Sequence, residues 1–561
     1  MENYNDVYSL WKEKCEDEKL RAELVEIDGK DDEILDRFYK KLEFGTAGLR
    51  GVLGAGTNRM NIYTVNQATQ GIADYLNSEF ENPSVAIAYD SRINSDVFAK
   101  ETAGVFAANG IKVYIYPELV PTPMLSFAVR RLSCSSGVII TASHNPAKYN
   151  GYKCYDPEGY QMTDAAAAAA YEFIQKVDIF EDVKRMDFEK GLSEGVIEYI
   201  SEEISEEFFS AVSSKVINPE VCKNTDLKII YTPLNGTGNK PVRKILDRLG
   251  IKNVKVVKQQ ELPDGNFPTC PYPNPEIRQA FECAIEMART ESADLLLATD
   301  PDCDRMGIAV YDGKDYKLMT GNEVGALFTE YVLSQYKEKG IMPKNPVVIK
   351  SFVTTDLVRV IANDYGAKVA DLLTGFKYIG EYITNLERKG QESDFIIGME
   401  ESYGYLLGIH ARDKDAVVAS QLVCEMAAYY KSKSKTLIDV MNEIYGKYGI
   451  YLNRVDSFEF DGAAGMQKMA DIMASLRSST FDKIGGLAVL EKTDYKDTEK
   501  TGLPSSNVIS FKLDGGNGVV VRPSGTEPKI KIYITSVSKT FEAAEAQYKN
   551  ILNDSKKWLE D

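Results

Sequence analysis

The sequence predicts a multidomain α/β protein: three successive mixed α/β sandwich domains, then a smaller C-terminal α+β domain. Three observations carry that expectation. Strand-like apolar runs alternate with helix-length stretches from about residue 84 onward, the pattern of sheets covered by helices. The order strand–helix–strand–helix–strand comes three times, each time followed by a polar cluster. The last block, from about residue 450, departs from that order and ends in an amphipathic helix. At roughly 150 residues per domain, 561 residues make about four domains. Their expected bounds are 1–205, 206–320, 321–450 and 451–561.

The elements follow in chain order. Residues 1–40 read as charged helices anchored by Trp11, Leu20 and Leu24. Phe44–Gly51 (Phe-Gly-Thr-Ala-Gly-Leu-Arg-Gly) reads as a glycine-rich loop, without the Gly-Lys-Ser/Thr ending of a P-loop. The first block gives strand 84–90, helix 95–108, strand 112–116, helix 124–132 and strand 137–141; a helix capped at Thr163 or Asp164 then runs through six alanines. The second gives strand 227–232, helix 241–249, strand 253–257, helix 275–290 and strand 294–299. The third gives strand 347–351, helix 356–365, strand 368–373, helix 377–389 and strand 394–398. In the fourth come a strand near 454–460, a helix from Gly465, strands 518–521 and 529–537, and a terminal helix near 540–559. This last domain is the natural candidate for a mobile lid.

Composition narrows the function. A net charge of −18 and a pI near 4.9 argue against a general nucleic-acid or anionic-membrane binder. An anionic substrate must then be captured by a local cationic pocket. The eight cysteines are scattered with no Cys-x-x-Cys pair, which suggests a reducing compartment. The polar, acidic start is no signal peptide, and no apolar run reaches the ~18 residues that span a bilayer, so a cytoplasmic protein is expected. His144 and His410 are the only histidines, which excludes a histidine-rich metal site.

Four clusters carry chemistry. After the strand 137–141, Ser143 sits in a turn with His144, Asn145, Lys148 and Lys153 around it. A hydroxyl so placed can carry a phosphoryl group, because cations and amide donors stabilise a dianion; the same residues also suit an ordinary turn. Asp300, Asp302 and Asp304 alternate after an apolar strand and can aim three carboxylates at one point, an all-oxygen set suited to Mg²⁺. A phosphotransferase with Asp300 as nucleophile, and a solvated acidic turn, are the rival readings. An EF-hand is excluded, since Arg305 and Tyr311 stand where its Gly and Glu belong. The third cluster, Gly398–Tyr405, sets Glu400 and Ser402 after a strand, with His410 and Lys414 close behind and Lys377 upstream; carboxylates beside hydroxyls suit sugar hydroxyls. The fourth, Val521–Lys529, offers Arg522, Ser524, Gly525, Thr526 and Lys529 between two strands, a good match to a phosphate dianion.

Five motifs in order resemble those of the α-D-phosphohexomutases: Phe-Gly-Thr-Ala-Gly-Leu-Arg-Gly at 44–51, Thr-Ala-Ser-His-Asn-Pro at 141–146, Asp-Pro-Asp-Cys-Asp-Arg at 300–305, Glu-Glu-Ser at 400–402 and Arg-Pro-Ser-Gly-Thr-Glu-Pro at 522–528. The length and the Glu-Glu-Ser-Tyr-Gly form look most like the branch holding phosphoglucomutases and phosphopentomutases. One departure is Asn235 in Pro-Leu-Asn-Gly-Thr-Gly, where relatives commonly carry His, and no role is transferred to it.

The resemblance implies four domains around a central cleft, and an intramolecular phosphotransferase interconverting glucose 1-phosphate and glucose 6-phosphate. Mannose and pentose phosphates are the alternatives within the family; a sugar-phosphate phosphatase or a non-catalytic sensor are those outside it. It implies Ser143 as a phosphoserine, one Mg²⁺ per active site held by Asp300, Asp302, Asp304 and the Ser143 phosphate, and glucose 1,6-bisphosphate as intermediate and activator. Lys153 would be the general acid/base, with Arg50, His144 and Arg305 at the transferring group. Glu400 and Ser402, with Lys377, His410 and Lys414, would bind the sugar. Arg522, Ser524, Gly525, Thr526 and Lys529 would grip the distal phosphate. The expected partners are small hexose phosphates, with neither nucleic acid nor membrane, and the protein would be a monomer or homodimer.

Overall fold

The computed structural model describes residues 3–45, 48–460, 462–524 and 529–559. The chain packs as two compact units: residues 1–319, 379–392 and 403–432 form one, and 320–378, 393–402 and 433–561 form the other.

The first unit holds two sheets. Its larger sheet has six strands in the spatial order Gly48–Val52, Tyr149–Tyr155, Ser136–Ile140, Ser84–Tyr89, Lys112–Ile115, Ile197–Tyr199. Ser136–Ile140 is buried along its whole length and runs parallel to Ser84–Tyr89, as expected of an apolar strand covered on both faces. Helices Ile62–Glu79, Ser95–Ala108 and Asp164–Ile174 cover the sheet and share a core of Val65, Ile72, Phe98, Phe106, Val138, Ile140 and Ile174. Thr163 does cap the alanine-rich helix, its side chain accepting from the Ala166 amide. Trp11, Leu20 and Leu24 gather with Phe38 in a separate apolar cluster beneath three N-terminal helices.

Two readings of this region change. The glycine-rich 44–51 stretch is not all loop: Gly48–Val52 is a strand, antiparallel to Tyr149–Tyr155, which also escaped the sequence reading. Arg50 and Lys153 therefore project from adjacent strands, Gly48 facing Lys153 and Gly151 facing Arg50 in register.

The second sheet of this unit orders its strands Tyr316–Met319, Met306–Tyr311, Leu295–Thr299, Ile229–Thr232, Val254–Val256. Ile230, Leu296 and Ala298 pack against Ile285 of the covering helix and Phe281 just before it. That helix is shorter than the expected 275–290: a 3₁₀ turn occupies Arg278–Phe281 and the α-helix spans Glu282–Glu291. Asn274, whose side chain accepts from the Glu276 amide, holds the preceding segment in a turn.

In the second unit, Lys368–Leu372, Val347–Ser351 and Phe395–Glu400 lie parallel in that order. Helix Gly321–Lys339 begins with a capping box between Thr320 and Glu323. The terminal sheet is antiparallel throughout, in the order Ile450–Glu459, Lys529–Ser538, Gly518–Pro523, Ile509–Leu513, Leu487–Asp494, Lys483–Ile484. Helices Gly462–Ser478 and Phe541–Lys556 share with it a core including Met473, Phe511, Val521, Ile532 and Ile551. Three α/β layers and a C-terminal α+β domain are the architecture expected. Among the described residues no helix is long and apolar enough to cross a membrane.

Candidate active site

The serine loop is built by the hairpin between Ser136–Ile140 and Tyr149–Tyr155, whose strands are antiparallel. Ser143 sits just past the first strand, buried, with φ at 52°. A left-handed backbone is uncommon for a residue with a side chain and needs support. Several groups supply it. The Ser143 amide donates to Thr141 Oγ1 at 2.9 Å, and that hydroxyl donates to Asp90 Oδ2 at 2.6 Å. Arg92, fully buried in its side chain, fans over the loop. Its guanidinium donates to the carbonyls of Ser143 (2.5 Å), Pro146 (3.1 Å), Tyr149 (3.0 Å) and Asn145, and it lies over the Phe267 ring at 5.1 Å.

The Ser143 hydroxyl donates to Asp300 Oδ2 at 2.8 Å. His144 Nδ1 stands 3.3 Å from the same Oγ. Burial and the cations Arg305 and Arg50 hold the imidazole well below its ordinary pKa, so it is neutral at pH 7.

Asp300, Asp302 and Asp304 follow the buried strand Leu295–Thr299 and are themselves buried. One carboxylate oxygen from each lies within 4.8 Å of the others. Asp300 Oδ1 accepts from the Asp304 and Arg305 amides at 3.1 and 3.0 Å. Asp302 Oδ2 accepts from Thr122 Oγ1 and Lys153 Nζ, each at 2.9 Å. Lys414 Nζ lies 3.2 Å from Asp304 Oδ2 and 3.0 Å from Asp413 Oδ1, and Asp413 Oδ2 accepts from Tyr155 at 2.6 Å. Burial, then the neighbouring Asp302 and Asp304, push Asp300 well above the ordinary carboxyl range. Burial also disfavours the charged form of Asp302, but Lys153 outweighs it and keeps that carboxylate ionised. Lys153 feels the reverse: burial opposes its charge, and Asp302 and Asp304 more than offset it, raising its pKa.

Two buried oxygens, Asp302 Oδ1 and Asp304 Oδ1, have no hydrogen-bond partner among the described residues. Carboxylates packed this closely are costly unless a cation joins them. The triad can therefore bind a metal ion, and an all-oxygen donor set favours a hard divalent one. Arg305 closes the loop by donating to Glu276 Oε1 at 2.8 Å.

His410 lies four residues before Lys414. Its Nε2 is 2.7 Å from Asp415 Oδ2, and its ring meets Phe208 edge-on at 5.6 Å. Asp415 Oδ1 in turn accepts from the Val417 and Val418 amides at the start of helix Ala416–Ser432.

The second unit carries the other two clusters. Glu400 ends the buried strand Phe395–Glu400, and its Oε1 accepts from the Gly375 amide at 2.7 Å. Lys377, buried in the helix that follows Gly375, lies over Tyr378 at 5.2 Å. Ser402 follows two residues after Glu400; Glu401 between them accepts from Ser351 Oγ at 2.9 Å. Arg522 lies on Gly518–Pro523, Ser524 closes onto the Lys529 carbonyl at 2.7 Å, and Lys529 pairs with Glu459 at 3.0 Å. Tyr533, beside Glu401 and Arg522, has its hydroxyl pushed up to about 12 by burial and then by Glu401. Gly525 and Thr526 lie outside the described residues.

Reading the sequence alone missed Asp90, Arg92 and Thr122. For Asp90 and Arg92 the signal was available, since Asp90-Ser-Arg92 directly follows the apolar strand Ser84–Tyr89, where α/β sheets carry their chemistry; Thr122 opens the helix Thr122–Arg131, where no such signal marks it.

Models of the phosphoglucomutase/phosphomannomutase α/β/α domains I, II and III match residues 41–179, 206–313 and 320–448 in turn. The chain belongs to this family. The phosphoglucomutase of Staphylococcus saprophyticus is 36% identical over 528 residues, covering 91% of this chain and 94% of its own. That of Staphylococcus aureus (bovine strain RF122) is 35% identical over 547 residues, covering 95% and 96%. Among solved structures, Paramecium parafusin, a phosphoglucomutase in its open form, aligns with a TM-score of 0.70 at 18% identity over 93% of this chain and 95% of its own. A family protein of Burkholderia thailandensis aligns at 0.66 and 18% over 92% and 96%. The family fold thus extends over nearly the whole chain.

Proposed function

We propose that this protein interconverts glucose 1-phosphate and glucose 6-phosphate, with Ser143 as the phosphoryl carrier and glucose 1,6-bisphosphate as intermediate. The observation that carries the reading is the Ser143 hydroxyl at 2.8 Å from a buried three-aspartate cluster that also engages Lys153. The curated relatives named phosphoglucomutase match over nine-tenths of the chain.

In each half-reaction a P–O bond to Ser143 Oγ exchanges with a P–O bond to a sugar oxygen. The sugar hydroxyl loses its proton when phosphorylated, and Ser143 Oγ gains one when it leaves. Lys153, held protonated beside Asp302, is the group that relays it. His144 stays neutral and donates or accepts without adding charge, while Arg50 and Arg305 offset charge on the moving group. Asp300, Asp302 and Asp304 would hold Mg²⁺, which supplies charge neutralisation and lowers the basicity of the serine oxygen as a leaving group. We assign Glu400, Ser402, Lys377 and Lys414 to the sugar hydroxyls. Arg522, Ser524, Gly525, Thr526 and Lys529 are assigned to the phosphate that is not being transferred. His410, packed on Phe208 and bonded to Asp415, is assigned to the same substrate-binding set as Lys414. The eight cysteines are free, which suits a cytoplasmic location. We expect a monomer or homodimer with no nucleic-acid or membrane partner.

Phosphorus NMR tests the reading, with Mg²⁺, a trace of glucose 1,6-bisphosphate, and glucose, mannose or ribose 1-phosphate in separate tubes. Fastest conversion of the glucose ester is expected. Faster conversion of another ester would change the substrate assignment, and release of inorganic phosphate would overturn the mutase reading.

A further inference from the structure

Within the first unit, a cavity of about 690 Å³ opens between the first and second α/β layers, lined by residues that the proposed chemistry does not use. Its size lies in the range of small-molecule sites. The walls are mostly apolar: Leu119, Val120 and Met124 from one layer, Pro241 and Leu262 from the other, and Phe209 from a connecting helix. Such walls take a ring-sized apolar body.

One end of the cavity is polar and cationic. Thr237, 2% exposed, lines it, and its hydroxyl has no hydrogen-bond partner among the described residues. A buried hydroxyl left unpaired costs free energy that a ligand atom can recover. After one intervening residue, Gly238, begins the eleven-residue helix Asn239–Leu249, whose first turn has no side-chain cap. Asn239 and Lys240 of that turn line the same cavity, and the free amides and the helix dipole there favour an anion. Lys240 and Lys244, one turn apart, add two positive charges; Lys244 lies 4.6 Å over the Phe209 ring, which ties the charged end to the apolar wall.

Acids are present too, and they set the terms. Glu118 pairs with Lys240, Glu206 pairs with Lys244, and Glu202 lines the rim. The Lys240–Glu118 side chains are 77% and 59% exposed, and an exposed pair of that kind contributes little, so a ligand anion can take Glu118's place.

We propose that this cavity is a binding site for a small amphiphilic anion: an apolar, ring-sized body carrying one phosphate or carboxylate. The anionic group sits at the Asn239–Lys240 helix start and accepts from the Thr237 hydroxyl, and the body lies against Phe209 and Met124. The site touches the aspartate loop from behind, since the Thr237 amide donates to the Pro301 carbonyl at 2.8 Å.

Calorimetry on the full chain tests this, using phenyl phosphate and phenylacetate as probes, with benzyl alcohol as the neutral control. Saturating glucose 6-phosphate is added to block the reaction site. We expect one-to-one binding of at least one anion that survives glucose 6-phosphate, and weaker binding of the alcohol. Lys240→Glu with Lys244→Glu should weaken the anion at least about tenfold, and Thr237→Val roughly threefold or more. Lys240→Glu alone, a change at an exposed side chain, guards against misfolding and should weaken binding roughly threefold. The stronger probe identifies the head group. No binding up to ~10 mM, displacement by glucose 6-phosphate, equal affinity for the alcohol, or unchanged affinity in the Thr237 or lysine variants would each overturn the proposal.

Discussion

Replacing Arg92 with lysine keeps a positive charge beneath the serine loop but removes the planar fork. The guanidinium reaches four carbonyl oxygens, those of Ser143, Asn145, Pro146 and Tyr149. An ammonium has three donors in a tetrahedral array and a shorter reach, so it can satisfy two of the four at best. Each hydrogen bond to a charged group contributes about 1.5–3 kcal/mol, so two lost bonds amount to about 3–6 kcal/mol. Water entering the vacated space returns part of this, which favours the lower figure. If about 3 kcal/mol is spent holding Ser143 in line, turnover falls roughly 100-fold. The substrate contacts assigned to the second unit are untouched, so KM should hold. Initial rates at saturating glucose 1-phosphate measure the first effect. Hydrogen exchange of the 143–149 amides measures the loosening directly. A variant with kcat within about twofold of the parent and unchanged exchange would refute the positioning role.

Three other outcomes are expected. Asp304→Asn should weaken Mg²⁺ binding, followed by calorimetry, by about tenfold or more, because one of the two unpartnered carboxylate oxygens loses its charge; equal affinity would remove Asp304 from the metal site. Gly404→Ala should lower kcat, because the added Cβ would clash with Lys414 Cδ and displace the ammonium from Asp304 and Asp413; full activity would show Lys414 to be dispensable there. Burial pushes the Asp156 carboxyl up to about 7. With its folded pKa above its unfolded one, its contribution to stability is fully present below about pH 4 and is lost as pH rises through 7. Asp156→Asn should therefore raise the free energy of unfolding at pH 8, followed by urea denaturation, by about 1–2 kcal/mol because the partly exposed group keeps some water, and converge on the parent near pH 4. A constant difference across that range would contradict the linkage.

The elements most legible in the sequence were those fixed by local pattern. Ser95–Ala108 and Val347–Ser351 were bounded by it, and the aspartate spacing after Leu295–Thr299 pointed to one locus before any coordinates. What escaped was non-local or lacked contrast. The pairing of Gly48–Val52 with Tyr149–Tyr155 joins segments about a hundred residues apart, and three small residues before Arg50 mimic a loop. Helices Ile62–Glu79 and Gly321–Lys339 are buried on most sides, so neither shows the polar stripe that marks a surface helix. Arg92 escaped because its partners are backbone carbonyls, which no side-chain motif records. The setting of His410 escaped likewise: its ring meets Phe208 and its Nε2 meets Asp415, contacts that no motif records.

Ser143, Cys303 and Tyr403, one in each of three candidate loops, all hold a left-handed backbone, with φ of 52°, 51° and 64°. Glycine accepts that conformation at no steric cost, whereas serine is held there at a cost of order 1 kcal/mol. A mutation of Ser143 to glycine would therefore relax the turn while deleting the hydroxyl. Under the proposed mechanism, stability and turnover pull in opposite directions at this one position.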